Sequence, residues 1–486
     1  MIKNIKKWTL AAAIGLAAVG CTDKFEEINT DPNEPNEVPA GLMTADIIRV
    51  TANTMYSTGI GGDMGAVWSQ QWSKIQYTDE ELYIPRQSAI GSVWDNIYSA
   101  VLSNAKVMRN LALAQTTPDF PEGDKQLAGV ATVLEVYGFA LLTDVYGDVP
   151  FSQALLGGTD GVFTPSYDKQ VDIYNDMLMK LDEAIAYLNG PGLITPSSDL
   201  LYGGDVTKWI KFANSLKVRI LMRASDKSSE ITNFNAQLQA AADGAFTSID
   251  DEAKLAYLES APNANPIFES VVQGNRTEYR MGEAFVELLK SLNDERLTVM
   301  AELNDAGEYM GKPPVAENTV LYNKATVSGL GEKYLEATAS GYFISFAETQ
   351  FLLAEAAERG FITGGTTVAE EYYNAGVAAS FTENEVSLAL PAYMAQSTVA
   401  YGAGNKIEKI HTQKYIALFS QGIEAWTEQR RTGIPTLSPA VNGAVSEIPS
   451  RYFYPATEQS LNGTSYQAAV SQQGDDELTT KIWWNK

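Results

Sequence analysis

Apolar residues recur every three or four positions along most of the chain, which is the spacing of one face of an α-helix. The clearest run, VDIYNDMLMKLDEAIAYLNGPG, begins at residue 171, and Gly190 with Pro191 ends it. Its apolar positions are Val171, Tyr174, Leu178, Leu181, Ile185 and Leu188. Runs that begin at Leu127 and Trp209 repeat the pattern. The sequence therefore predicts a succession of amphipathic helices.

Two further helices are predicted in the second half of the chain. SFAETQFLLAEAAERG, from residue 345, is apolar nearly all round, which indicates a buried central helix. KIHTQKYIALFSQGIEAWTEQRRTG, from residue 409, is predicted as one helix. Strand signals are short and scattered, for example in RYFYPAT from residue 451. The fold class predicted is mainly α with small β elements, and successive helices could stack as antiparallel pairs, although no 34-residue repeat is convincing.

Loops concentrate in two places. The stretch 230–340 is the least regular, and long loops on a rigid helical frame are where ligands usually bind. The glycine-rich STGIGGDMGAVW, from residue 57, misses the spacing of a phosphate-binding loop because Met64 occupies the third glycine position. We interpret it as a flexible connection before the next helix.

The N-terminus has the pattern of a bacterial lipoprotein signal. Three lysines precede the apolar stretch WTLAAAIGLAAVG, which ends in small residues directly before Cys21, the only cysteine. Cleavage there would leave Cys21 as a lipid-bearing first residue; a plain secretory signal with a free thiol is the alternative. The predicted organisation is a signal peptide at 1–20, an acidic, proline-rich tether at 21–40, and a single domain at 41–486 with a loop-rich insert at 230–340.

Charge and composition exclude several function classes. The formal net charge is −25, which repels phosphate backbones, so nucleic acid is excluded as a partner. With one histidine, His411, and one cysteine, the chain lacks a complete His-Cys metal site, Ser-His-Asp triad or Cys-His dyad. Hydrolysis by two carboxylates stays open, because 60 Asp and Glu residues offer many pairs.

Aromatic residues give the strongest signal for binding. Trp68, Trp72, Tyr77 and Tyr83 lie close together among polar residues, and the two tryptophans are four positions apart, hence on one face if the segment is helical. Two or three such rings could stack on an oligosaccharide while their polar neighbours bind its hydroxyls. The alternative is that these rings belong to the core.

Compact charged motifs have structural explanations. Arg430 and Arg431 lie in the last predicted helical turn before Gly433, where cations favour the negative end of the helix dipole. Glu355 and Glu358 could pair with these arginines across a helix contact.

Five segments, in order, resemble the SusD and RagB family of outer-membrane nutrient-binding lipoproteins. They are TDVYGDVPFSQAL, DVTKWIKFANSLKVRILMRAS, FISFAETQFLLAEAAERGF, KIHTQKYIALFSQGIEAWTEQRRTGIP and IPSRYFYPATEQSLN. The acids Asp23, Glu26 and Glu27 after the lipobox cysteine resemble the family's surface-export signal.

The resemblance implies a tetratricopeptide-like scaffold of helix pairs with an irregular ligand-binding region. It also implies a palmitate-bearing lipoprotein of the outer membrane that faces the cell exterior and is not an enzyme. Such a protein would bind a nutrient glycan and deliver it to a SusC-like TonB-dependent receptor. The segment Trp68 to Tyr83 lies where several members contact sugar. No cofactor is expected; some members bind calcium, but no acidic loop here demands it.

Alternative functions are a surface-tethered glycoside hydrolase with a carboxylate pair, a peptide-binding member of the same family, and an adhesive or structural surface protein without a small ligand.

Overall fold

Helices make up most of the folded chain, as the period of its apolar residues predicts. The computed structural model describes residues 39–315, 321–402 and 404–486. The predictions for the signal peptide, Cys21 and the tether up to residue 38 lie outside the described residues. The α-helices are α1 (Met43–Tyr56), α2 (Gln87–Asp95), α3 (Ser103–Ala114), α4 (Lys125–Tyr146), α5 (Gly157–Asp160), α6 (Gln170–Leu188), α7 (Val206–Arg223), α8 (Phe234–Gly244), α9 (Glu283–Ser291), α10 (Leu297–Met300), α11 (Phe346–Glu358), α12 (Gly365–Glu383), α13 (Leu390–Met394), α14 (Lys406–Ala417), α15 (Gly422–Thr432), α16 (Ala456–Leu461) and α17 (Gly463–Gln473).

Helices that follow one another pack in pairs. α4 packs against α3 and α6, α7 against α6 and α8, and α11 against α7, α12 and α14. Because each helix covers the apolar face of its neighbours, the pairs share one core. The residues from Ala40 to Lys486 form one compact unit. The predicted mainly α fold built on helix pairs is confirmed.

Two helices lie at the centre of this arrangement. α11 begins where the Ser345 hydroxyl accepts a hydrogen bond from the Glu348 amide at 3.1 Å, and every residue from Ala347 to Ala357 is buried. α4 is long and apolar enough to cross a membrane, yet 94% of its most apolar window is buried inside the fold. The buried central helix predicted from residue 345 is confirmed.

In the described part of the chain, four short strands form two antiparallel pairs. β1 (Trp72–Lys74) pairs with β3 (Tyr279–Met281), and β2 (Ala253–Leu255) pairs with β4 (Gly341–Ile344). The register of the second pair slips between Ala253 and Lys254, which places Lys254 opposite Tyr342. These pairs join the irregular region 230–340 to the helical frame.

The strand predicted in RYFYPAT is wrong. Tyr452 donates one backbone hydrogen bond to the Val145 carbonyl at 2.8 Å, but the segment pairs with no strand of the described chain. Pro455 has no N–H to extend a ladder, and α16 begins directly after it. Tyr452 and Tyr454 are core residues instead.

The single helix predicted from residue 409 is also wrong, because the structure has two helices, α14 and α15. They are separated at Ser420, which has a φ of +67°. An L-residue cannot hold that conformation inside a right-handed helix, so the chain turns there. Because apolar residues keep the helical spacing on both sides of this turn, the sequence pattern does not reveal the break between the two helices.

The glycine-rich segment is a buried π-helix, Thr58–Ala66, rather than the flexible connection predicted. Its glycines let its backbone touch the start of α15. A Cβ at Gly65 would lie 2.5 Å from the Gly422 carbonyl carbon, and one at Gly422 would lie 1.9 Å from the Gly61 oxygen. The glycines therefore serve close helix packing.

Candidate functional site

A cavity of about 700 Å³ opens where the irregular region meets the helical frame. Its walls come from the ends of three helices, α1, α12 and α14, from the paired strands β2 and β4, and from a 3-10 turn at Glu332–Leu335. The chain reversal at Ser420 completes the wall by bringing Ser420 and Gln421 to it. Its size falls within the range of about 300–1,000 Å³ typical of small-molecule sites.

Aromatic rings line one part of the cavity. Tyr334 and Tyr342 are half-buried. The Tyr334 ring lies against Phe419 with centroids 4.7 Å apart, and its hydroxyl donates to Asn384 Oδ1 at 2.7 Å. The Tyr342 amide donates to Tyr56 Oη at 2.7 Å, which fixes the start of β4 beside the end of α1. Rings held by polar contacts at one edge can present an apolar face to a ligand.

Charged side chains line the rest of the cavity. Lys254 Nζ lies 3.0 Å from Glu252 Oε2 and 5.5 Å from the centre of the Tyr342 ring. Lys333 pairs with Glu385 at the mouth. Both lysines therefore already have carboxylate partners from their own chain.

Two carboxyl groups meet at the end of α12. Glu252 accepts a hydrogen bond from the Phe346 amide at 2.9 Å, and Glu383 forms a hydrogen bond with Glu252. Burial, and then the neighbouring Glu252 carboxylate, raise the pKa of Glu383 well above its usual range. Glu383 Oε1 is buried and has no hydrogen-bond partner among the described residues. The pair therefore leaves one buried carboxyl oxygen, Glu383 Oε1, able to accept a hydrogen bond.

Three of the four aromatic residues predicted to bind ligand lie in the core. Trp68, Trp72 and Tyr83 are 1%, 2% and 3% exposed, whereas Tyr77 is 68% exposed. Trp68 packs edge-on against Trp426 and donates to the Glu80 carbonyl at 2.8 Å, so its ring has no face for a sugar. Of the four, Tyr77 alone has a ring that a ligand could reach in the described structure.

The predicted helix face shared by Trp68 and Trp72 is wrong. Trp68 lies in a turn and Trp72 begins β1, so the two rings are not neighbours on a helix. Trp72 packs instead against Tyr279 of β3, with ring centroids 5.9 Å apart. No helical period continues directly after residue 72, and the pairing of β1 depends on β3, a partner far along the chain.

The segment that carries Tyr77 is anchored by buried ion pairs on both sides. Lys74 Nζ lies 3.1 Å from Asp63 and 3.0 Å from Glu80, and Arg86 contacts both acids. Such anchoring gives the loop a defined shape.

His411 belongs to a charged cluster inside the helical frame. Its Nε2 lies 3.0 Å from Glu355 Oε2, and the ligand atoms of His411, Glu355 and Glu428 are close enough to hold a metal ion. Arg431 Nη2, however, lies 2.6 Å from both carboxylates, and Lys414 Nζ lies 2.9 Å from Glu428. Because these cations already neutralise the carboxylates, the residues do not fit a divalent cation.

The arginines of the last turn of α15 have the structural roles predicted for them. Arg431 pairs with Glu355 across the contact of α15 with α11, as predicted. Arg430 lies over the Trp426 ring at 3.6 Å and donates to the Ser450 carbonyl at 2.7 Å. Glu358 contacts Lys406 at 3.4 Å rather than either arginine.

The carboxyl pair of the cavity does not have the geometry of a glycosidase. Retaining and inverting enzymes hold their two carboxyl groups about 5–5.5 Å or 6.5–9.5 Å apart, so that a sugar carbon or a water fits between them. Glu252 and Glu383 are in direct hydrogen-bond contact. The arrangement supports binding of a ligand rather than hydrolysis.

Sequence reasoning missed Glu252, Glu383, Tyr334 and Tyr342. They come from three distant parts of the chain, and each stands in an unremarkable local pattern. The nearest signal was the irregularity of 230–340, which supplies one side of the cavity.

Comparison with known families gives one match over most of the chain. Residues 32–455 match a SusD-like family described as starch-binding and associating with the outer membrane. A search of the curated proteins found no match.

Several solved structures share the fold. A chitin-binding protein is 28% identical, with a TM-score of 0.80, and the match covers 92% of this chain and 100% of that one. A chitin-binding SusD homologue from Flavobacterium johnsoniae is 26% identical, with a TM-score of 0.76 and coverage of 92% and 97%. A SusD homologue from Bacteroides fragilis is 25% identical, with a TM-score of 0.78 and coverage of 93% and 100%.

Proposed function

Because the chain belongs to the SusD-like family, we propose that it is a cell-surface lipoprotein that binds a nutrient oligosaccharide and delivers it to a SusC-like TonB-dependent transporter. The observation that carries this proposal is the family match over residues 32–455. Two similar structures described as chitin-binding support a glycan as the ligand. A chitin oligosaccharide is therefore the first ligand to test.

The cavity beside α12 is the binding site that the geometry favours. It combines half-buried tyrosine rings with amide and charged side chains, which is the mixture that sugar rings and hydroxyl groups require. Tyr77 on its anchored loop is the second candidate, because it is the exposed member of the aromatic segment.

Calorimetry on the purified chain tests ligand capture. We expect at least one oligosaccharide in a panel of chitin and starch fragments to bind, and Tyr342→Ala to weaken that binding about tenfold, the loss of a ring contact of about 1.4 kcal/mol. Tyr77→Ala tests the second candidate in parallel, because Tyr77 is an exposed tyrosine outside the cavity. If Tyr77→Ala causes the loss and Tyr342→Ala does not, the site lies on the loop. A panel without any binder would remove the support for glycan capture.

Cys21 is proposed to hold the lipid anchor. Two or more acyl chains attach a protein lastingly to a membrane, whereas one chain is marginal. Cys21→Ala should therefore shift the protein from the membrane fraction to the soluble fraction and abolish incorporation of labelled palmitate. Co-purification of the wild-type protein with a TonB-dependent receptor tests the transport partner separately.

A further inference from the structure

The cavity contains more carboxyl groups than cations. Four glutamates, at 252, 336, 383 and 385, lie at or beside it, with two lysines, at 254 and 333. The lysines pair with Glu252 and Glu385, whereas Glu336 and Glu383 form no ion pair with a described residue. The cavity thus has unpaired acidic groups available to a ligand.

Glu383 is the deeper of these two acids and has an unused acceptor. Its Oε1 atom is buried without a hydrogen-bond partner in the described chain, while Glu252 uses its own oxygens for the Phe346 amide and Lys254. A buried acceptor without a donor is unfavourable, because the atom has lost its bonds to water and gained none in return. A ligand that donates a hydrogen bond to Oε1 would restore such a bond.

Helix ends add to the negative character of the site. α1 ends at Tyr56, α12 at Glu383 and α14 at Ala417, and all three residues line the cavity. The C-terminus of a helix carries about half a negative charge, which favours a cation within its last turn. Three such ends therefore favour a positively charged ligand over a neutral one.

The shape of the lining favours a sugar as the carrier of that charge. Tyr334 and Tyr342 provide ring faces, and Asn265 and Gln421 provide amide groups for hydroxyls. A basic peptide could also place its cations over these rings, so an oligolysine peptide is the competing ligand.

We infer that the cavity binds a glycan with free amino groups, such as deacetylated chitin, and that Glu383 Oε1 accepts a hydrogen bond from an amino group of that glycan. This inference rests on the proposed glycan-binding function and names the class of glycan. Burial and the neighbouring Glu252 raise the pKa of Glu383 in the free chain, and an ammonium group bound beside it would lower that pKa and stabilise the ionised form. The other titratable groups that line the cavity are Lys254 of β2, Lys333 in the 3-10 turn, Glu336 directly after that turn, Glu385 after α12, and the tyrosines 56, 334 and 342. Glu252 and Arg296 also act on Glu383.

Calorimetry with matched oligosaccharides tests the inference. The full chain is titrated with glucosamine oligomers and with N-acetylglucosamine oligomers of equal length, at about pH 6, below the usual pKa of an amino group. We expect the amino form to bind at least about tenfold more tightly, as for a charge-assisted hydrogen bond. Glu383→Gln should remove that preference, and Glu383→Asp should keep part of it. Glu371→Gln, an exposed acid on the same helix, is the control and should change nothing.

The possible outcomes are distinct. Equal or tighter binding of the acetylated form overturns the inference and leaves the proposed function intact, as does an unchanged preference in Glu383→Gln. If neither oligomer binds but starch fragments do, the inference falls and glycan capture stands. If no glycan binds, both fall. Tighter binding of an oligolysine peptide would assign the site to peptides. The ratio of the two wild-type affinities decides the question even if a variant fails to fold.

Discussion

Two buried carboxylate sites in this protein differ in what neutralises them. Inside the helical frame, Arg431 bridges Glu355 and Glu428, and all three side chains are buried. In the cavity, Glu383 faces another carboxyl group, Glu252, and forms no ion pair with a described residue. A buried acid supplied with a cation by its own chain is part of the framework. One left without a cation is available to a ligand.

The pKa values of the acids are shifted in opposite directions at the two sites. Burial alone would raise the pKa of Glu355, but Arg431 outweighs it and holds that pKa well below its usual range. Glu428 follows the same pattern, with Arg431 and Lys414 as its cations. For Glu383, burial and the neighbouring Glu252 outweigh the more distant Lys254 and Arg296, and its pKa rises.

The largest expected effect comes from removing the bridging arginine. Arg431→Ala leaves two buried carboxylates without their main cation, so we expect the free energy of unfolding to fall by about 3–5 kcal/mol. Urea unfolding at neutral pH measures it.

Arg359→Ala is the control for that experiment. Arg359 also contacts Glu355, at 2.9 Å, but is more exposed and leaves Arg431 in place. We expect a loss of about 1 kcal/mol or less. If the two variants lose equal stability, the Arg431 bridge is not what sets this cluster apart.

The contrast between the two sites also explains what could be predicted from the sequence. The positions of helices such as α6 and α11 can be predicted from the local period of their apolar residues. The ion pair of Arg431 with Glu355 can be predicted because each residue lies in a recognisable helical motif and the two helices pack together. These features depend on neighbouring residues or on one helix contact.

The cavity depends on features that no local period shows. It needs the reversal at Ser420, the slipped register that sets Lys254 beside Tyr342, and the meeting of Glu252 with Glu383. For the same reason the sequence does not show that Trp68 is buried, because the ring that packs against it, Trp426, comes from the distant helix α15. Tertiary contacts between distant segments decide which rings and acids face a ligand.

A smaller effect is expected on acidification. The folded-state pKa values of Glu355 and Glu428 lie below their unfolded values, so their contribution is present above about pH 4.5 and is lost as the pH falls through the folded values. Each group adds a slope of about 1.4 kcal/mol per pH unit to the acid limb. The free energy of unfolding, measured in urea at a series of pH values, should show this decline. In Glu428→Gln, the free energy of unfolding should fall less steeply with decreasing pH, by about 1.4 kcal/mol per pH unit. If it falls as steeply as in the wild type, Glu428 is not held ionised in the folded protein.

The smallest effect is expected for Glu383→Gln. Because the folded-state pKa of Glu383 is raised, its contribution is present below its unfolded pKa and is lost as the pH rises through the folded value. The amide can still donate to Glu252 but cannot ionise, so at about pH 5 the variant should lie within about 1 kcal/mol of the wild type. As the pH rises, the variant should become the more stable of the two. Urea unfolding at about pH 5 and pH 8 measures this crossover. A loss at pH 5 as large as that of Arg431→Ala would place Glu383 among the structural acids, and the distinction between the two sites would no longer hold.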